Sequence, residues 1–118
     1  MLSRKDIEQT TRRIDEHINH TPILTSNTLN KVCGLELFFK CENFQKSGSF
    51  KYRGVSNAVL VLDRDERKKG LITHSSGNHG AALAAFASSM GLPVTVVVPA
   101  SASPFKREAI KRYDAEII

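Results

Sequence analysis

Apolar positions are sparse and unevenly spaced over the first sixty residues and dense after them. Ser3 and Asp6 have the spacing of a capping box, and Ile7, Ile14 and Ile18 fall on one helical face. This predicts a first helix running to about Ile18, with a stripe so thin that it suits a peripheral arm. Thr21-Pro22 breaks it, Ile23-Leu24-Thr25 reads as a short extended piece, and Ser26 or Asn27 can cap a brief helix that ends at Gly34. From Leu35 to Glu42 the pattern alternates, with Leu35, Leu37, Phe39 and Cys41 on one face, which predicts a strand. A helix from about Phe50 to Leu62 follows, with Phe50, Gly54, Ala58 and Leu62 in one i, i+4 row and Val55 and Val59 in the next.

Arg64-Asp65-Glu66-Arg67-Lys68-Lys69 reads as a solvated linker, and beyond it the pattern changes. Leu71-Ile72-Thr73 is a short apolar strand, Ala81 to Met90 an alanine-rich helix closed by Gly91, and Val94 to Val98 a β-branched strand closed by Pro99. Ser103-Pro104 opens a helix to Tyr113, and Glu116-Ile117-Ile118 begins a third strand. That order predicts a βαβαβ unit with a parallel sheet and right-handed crossovers. A parallel sheet is normally covered on both faces, so the sequence is expected to be the front part of a longer protein.

Composition narrows the class without deciding it. The 118 residues, 41% hydrophobic and 25% charged, suit one small globular domain at most. No apolar run is long enough to span a membrane, and the first twenty residues are polar, so a cytoplasmic protein is expected. The net charge of +5 comes from seventeen basic residues interleaved with twelve acids. The densest basic stretch holds two acids and no aromatic, which argues against nucleic acid as a partner. Cys33 and Cys41 stand alone, suggesting neither a zinc site nor a disulfide, and no metal-ligand set is visible.

Two stretches carry candidate chemistry. In Gln45-Lys46-Ser47-Gly48-Ser49-Phe50-Lys51-Tyr52-Arg53-Gly54 the chain turns sharply just before a helix, with Lys51 at the entry point. A lysine near the positive end of a helix dipole and partly shielded from water is easier to deprotonate and can attack an aldehyde. Taken alone, the stretch is better described as a solvated lysine at a helix start. His74-Ser75-Ser76-Gly77-Asn78-His79-Gly80 lies between a strand and the alanine-rich helix, where open α/β sheets bind anionic ligands. It has neither GxGxxG nor P-loop spacing, and alone it is also an ordinary polar turn in which Ser76 or Asn78 caps.

Together with Thr21-Pro22 and Phe38-Phe39-Lys40-Cys41-Glu42, in this order and spacing, the two stretches resemble the fold-type II pyridoxal-phosphate enzymes. The likeness is to the branch holding serine racemase and the serine/threonine dehydratases, and it extends over essentially the whole chain. The cysteine synthase branch is similar but carries Lys-Asp-Arg at the lysine motif and Thr-Ser-Gly-Asn-Thr-Gly at the loop. A flavodoxin-like nucleotide-binding domain would match the βαβαβ stretch and leave the Lys51 motif unexplained.

The resemblance implies an α/β fold of the tryptophan synthase β-like kind, with helices on both faces of a parallel sheet, incomplete in this chain. Residues 1–66 would be the amino-terminal part of the large cofactor domain, and 67–118 the first part of the small domain. It implies pyridoxal phosphate as cofactor, with Lys51 forming the Schiff base, Phe50 against the ring and Asn78 bonded to the ring's phenolate oxygen. Ser75, Gly77 and His79 would surround the substrate carboxylate. Lys51 would remove the Cα proton of a small amino acid, and loss of the β-hydroxyl as water would give a keto acid and ammonia. Ser76 would act on the opposite face, tilting the chemistry toward racemisation, since many dedicated dehydratases resemble Ser-Ala-Gly-Asn at this loop. The alternative for Ser76 is a loop hydroxyl and no more.

Ser26, Asn27, Lys46 and Ser47 match positions near a nucleotide activator at the racemase dimer interface, with Asn27 and Ser47 imperfect matches. Mg2+ and ATP as activators, and a homodimer, are implied for the full-length protein. The family's phosphate-holding glycine loop and cation ligands lie later in the chain than residue 118. The alternative function is a truncated, non-catalytic binding or subunit-interaction module.

Overall fold

A computed structural model describes residues 1–118. Helix α1, Arg4–Ile14, starts at a full capping box. The Ser3 hydroxyl accepts from the Asp6 N–H at 3.3 Å, and the Asp6 carboxylate accepts from the Ser3 N–H at 2.8 Å. Those hydrogen bonds hold the Asp6 carboxyl below its ordinary pKa. The helix is shorter than expected because the chain tightens into a 3-10 turn at Asp15–His17 and is extended at Ile18. Ile14 and Ile18 are buried while Ile7 faces solvent.

Strand β1, Ile23–Leu24, pairs antiparallel with β2, Phe39–Lys40, and between them α2, Asn27–Cys33, runs from a Ser26 cap to a left-handed Gly34. The alternating stretch of residues 35–42 forms only this two-residue strand. Its partner offers just two residues to pair with, and the chain then turns through a 3-10 segment at Glu42–Phe44. Helix α3, Lys51–Val61, follows. It buries Tyr52, Val55, Ser56 and Val59, while Phe50, Ala58 and Leu62 of the other apolar row stay exposed. The charged linker is itself a short helix, α4, Arg64–Lys68, opened by a reciprocal Asp63/Glu66 capping box.

The second half follows the predicted order: β3 (Leu71–His74), α5 (Asn78–Met90), β4 (Val94–Val97), α6 (Pro104–Lys111) and β5 (Glu116–Ile117). The strands form a parallel sheet in the order β3-β4-β5, with Leu71 beside Val94 and Val96 beside Ile117. Successive right-handed crossovers in one direction put α5 and α6 on the same face. Val94, Val96 and Val98 are buried under α5, and Ile72 and Ile118 on the other face are exposed. Helix α5 buries Gly80 and every residue from Ala82 to Ala87, with the Phe86 ring edge-on to Tyr52 of α3 at 5.7 Å and to His17 at 5.6 Å. Its small alanine side chains let sheet and α3 approach from opposite sides, so one core joins α1, α3, α5, β4 and α6. The outer edge of β3 has no strand partner.

Candidate active site

Lys51 is the first residue of α3, and the loop before it is built by Gln45. The Gln45 side chain is buried, accepts from the Asn19 and Lys46 N–H groups at 2.9 and 3.0 Å, and donates to the Asn19 carbonyl at 2.8 Å. The Lys46 ammonium donates to the His17 carbonyl at 2.7 Å. Between these fixtures and α3 the chain passes through two left-handed residues, Ser47 at φ 62° and Gly48 at φ 74°. The hydroxyls of Ser47 and Ser49 are buried without a hydrogen-bond partner. Lys51 is more open than its motif suggested. Its side chain is exposed, its Nζ lies 5.2 Å from the centre of the Phe50 ring, and it has no hydrogen bond or ion pair in the chain.

A polar cluster that sequence reasoning missed joins three of the motifs. The Arg53 guanidinium, one short step along α3 from Lys51, donates through Nε and Nη2 to the two Glu42 oxygens at 2.9 and 2.8 Å. Glu42 also accepts from the Thr21 hydroxyl, whose backbone carbonyl receives the Lys40 ammonium at 2.6 Å. The Arg53 hydrogen bonds pull the Glu42 carboxyl down to about 2 against the opposing effect of burial, with Thr21 and the Lys40 charge adding to the pull. Nothing in the spacing pairs Glu42 with Arg53, and each has another charge two residues away, Lys40 and Lys51, so the sequence carries no signal for the pair.

The loop from Ser75 to His79 leaves the carboxyl end of β3 and enters α5 at Gly77. The Ser75 hydroxyl accepts from the Gly77 and Gly80 N–H groups at 3.2 and 3.1 Å, so it fastens the helix start. The N–H groups of Ser76, Asn78 and His79 have no acceptor in the chain and remain free for an anion. Gly80 is where the loop closes onto the sheet: a Cβ there would lie 2.8 Å from the Ser75 carbonyl oxygen and 3.1 Å from Val96.

Two clefts flank this helix start. The larger, about 500 Å3, runs along the free edge of β3 and brings Lys51, Phe50 and His79 together, with walls from Gly54, Val55, Ala58, Leu62, Ile72 and Leu83. The smaller, about 160 Å3, is bordered by Ser76, Gly77, Asn78, Phe105 and Lys106. Ser26 caps α2, accepting from the Leu29 N–H at 3.3 Å, and Asn27 is exposed. Ser26, Asn27, Lys46 and Ser47 line neither cleft.

A family model described as "Pyridoxal-phosphate dependent enzyme" matches residues 14–118. Among curated relatives, serine racemase of Dictyostelium discoideum is 49% identical over 116 residues, covering 98% of this chain and 36% of that protein. The beta-hydroxyaspartate dehydratase of Paracoccus denitrificans is 50% identical over 105 residues, covering 89% and 33%. The solved structure of maize serine racemase superposes with a TM-score of 0.91 at 44% identity, covering 95% of this chain and 34% of that one. The chain thus spans about a third of the length of the relatives it matches. With the family's model matched from α1 through β5, on a fold shared with maize serine racemase, this chain belongs to the pyridoxal-phosphate-dependent enzymes of fold type II.

Proposed function

We propose that the chain supplies the lysine-bearing part of an amino-acid racemase or ammonia-lyase acting on serine or threonine. The observation that carries this reading is the joining, in one apolar-walled cleft, of an unpaired primary amine, an aromatic ring and the start of a helix with free N–H donors. Those residues fit pyridoxal phosphate. Lys51 would hold it covalently and Phe50 would flank its ring, while Asn78, which borders the smaller cleft, would have to reach it across the start of α5. Bound there, the cofactor supplies an electron sink for charge developing at the amino acid's Cα.

The chain's own residues do the rest. The free N–H groups around Ser76, Asn78 and His79 favour a substrate carboxylate, with Gly77 allowing close approach and His79 at the cleft wall. Ser75 contributes by fixing the loop. Lys51 Nζ, once displaced by the substrate's own amine, would take the Cα proton on one face, and Ser76 Oγ, bordering the other cleft, would be the acid or base for the opposite face. Residues 1–66 then belong to the large cofactor domain and 67–118 to the small one. A cytoplasmic homodimer activated by Mg2+ and by ATP near Ser26, Asn27, Lys46 and Ser47 completes the reading for the full-length enzyme.

The test is to treat the chain with pyridoxal phosphate, reduce with borohydride and map the modified lysines beside a Lys51→Ala control. Labelling concentrated on Lys51 supports the reading. Diffuse labelling that is unchanged in the control sinks it for this chain and leaves the second reading, a non-catalytic subunit-interaction module, which the exposed Ile72, Phe105 and Val61 favour.

A further inference from the structure

The helix turn that carries Lys51 is closed by backbone hydrogen bonds from the Tyr52 and Arg53 N–H groups to the Ser49 and Phe50 carbonyls, but it has no side-chain cap. Phe50, in the cap position, makes no side-chain hydrogen bond to the helix, and the backbone before it includes a left-handed serine. A non-glycine residue there costs on the order of 1 kcal/mol. The Gln45 hydrogen bonds brace the loop, and a second brace acts on the helix turn itself. Arg53 lies in the same first turn as Lys51 and is gripped at two points by Glu42, with side chains only 29% and 15% exposed. Glu42 is in turn seated on Thr21, and the Thr21 backbone is held by Lys40. The grip therefore ties the start of α3 to the β1–β2 ribbon. Lys51 itself is tied to nothing but the face of Phe50.

We infer that the Glu42–Arg53 pair is a positioning device for Lys51: it sets the direction in which the amine leaves the helix start, without touching cofactor or substrate. A two-point guanidinium–carboxylate contact fixes orientation as well as distance, which a single ammonium contact does not. A purely structural pair would change how much protein is folded, not which lysine of the folded protein reacts. The inference rests on the reading of Lys51 as the cofactor's anchor.

The experiment uses the full chain and its Glu42→Gln and Arg53→Lys variants. Each is exposed to pyridoxal phosphate and borohydride, and the share of label on Lys51 is compared by peptide mass spectrometry with that on the exposed Lys5, Lys31 and Lys111. Far-UV circular dichroism is recorded on the same samples. Both variants are expected to keep the native spectrum while the Lys51 share falls about tenfold relative to the surface lysines. An unchanged Lys51 share in a natively folded variant overturns the positioning role and leaves the anchor reading intact. Loss of the native spectrum in both overturns it too, because the pair would then hold the fold and not the lysine. If only one variant folds, that one decides. Wild-type labelling with no preference for Lys51 overturns the anchor reading and this inference together.

Discussion

Lys51 borders the larger cleft and Ser76 the smaller one, whereas the proposed two-base exchange requires both to reach one carbon from opposite faces. On that proposal, Ser76→Ala in the full-length enzyme is expected to reduce racemisation at least tenfold more than β-elimination. Equal loss of both rates in a parallel kinetic assay would remove Ser76 from that role. Glu42 makes a second residue-level prediction. Its folded pKa of about 2 lies below its ordinary 4.5, so the stability it adds is fully present above about pH 4.5 and is lost as pH falls through about 2. Glu42→Gln should lower the unfolding free energy by on the order of 2 kcal/mol near neutrality, and the gap to wild type should close in acid. Urea titrations at a series of pH values measure this, and a gap independent of pH would contradict it. The placing of Phe50 and Lys51 at the start of α3 and of the Ser75–His79 loop at the start of α5 was legible from local sequence signals. Glu42 and Arg53 were not, because a contact between charges on separate elements exists only once the chain is folded.

Among the elements, those with strong end signals were legible to within a few residues: α2 between Ser26 and Gly34, α5 closed by Gly91, and α6 opened by Pro104. The misses have physical causes. Helix α4 reads as linker in the sequence because its five charged residues mask the Asp63/Glu66 cap, and β2 reads too long because alternation reports a potential face and not the length of the partner. The alanine-rich composition of α5 gives no amphipathic stripe, and the structure explains why: it is covered on several sides at once. Its first turn is the least forgiving part. Gly80→Ala would push a Cβ into the Ser75 carbonyl and against Val96, at an expected cost of about 1–3 kcal/mol. Ser75→Ala would instead leave the Gly77 and Gly80 N–H groups without their acceptor, at about 1 kcal/mol. Denaturant midpoints rank the two, and a neutral Gly80→Ala would show that the loop does not need that close approach.

At the scale of the whole molecule the βαβαβ order was legible from the sequence, while the way α3 and α5 merge both halves into one core was not. The radius of gyration is 16.7 Å, against about 13–14 Å for a compact domain of this length. The excess follows from the sheet, which is covered on one face only, and from the ribbon at β1–β2, whose apolar side chains are largely exposed. Exposed apolar strand residues beside an unpaired edge are a template for association. The chain is expected to sediment as concentration-dependent oligomers, and Ile72→Lys to shift it toward monomer; a monomeric wild type across the concentration range would refute this.

The edge of β3 has one more consequence. The groove beside that strand is the same groove that receives the amine of Lys51, so any segment that zips onto the strand also becomes a wall around the lysine. Covering that edge and enclosing the Lys51 amine are then one event.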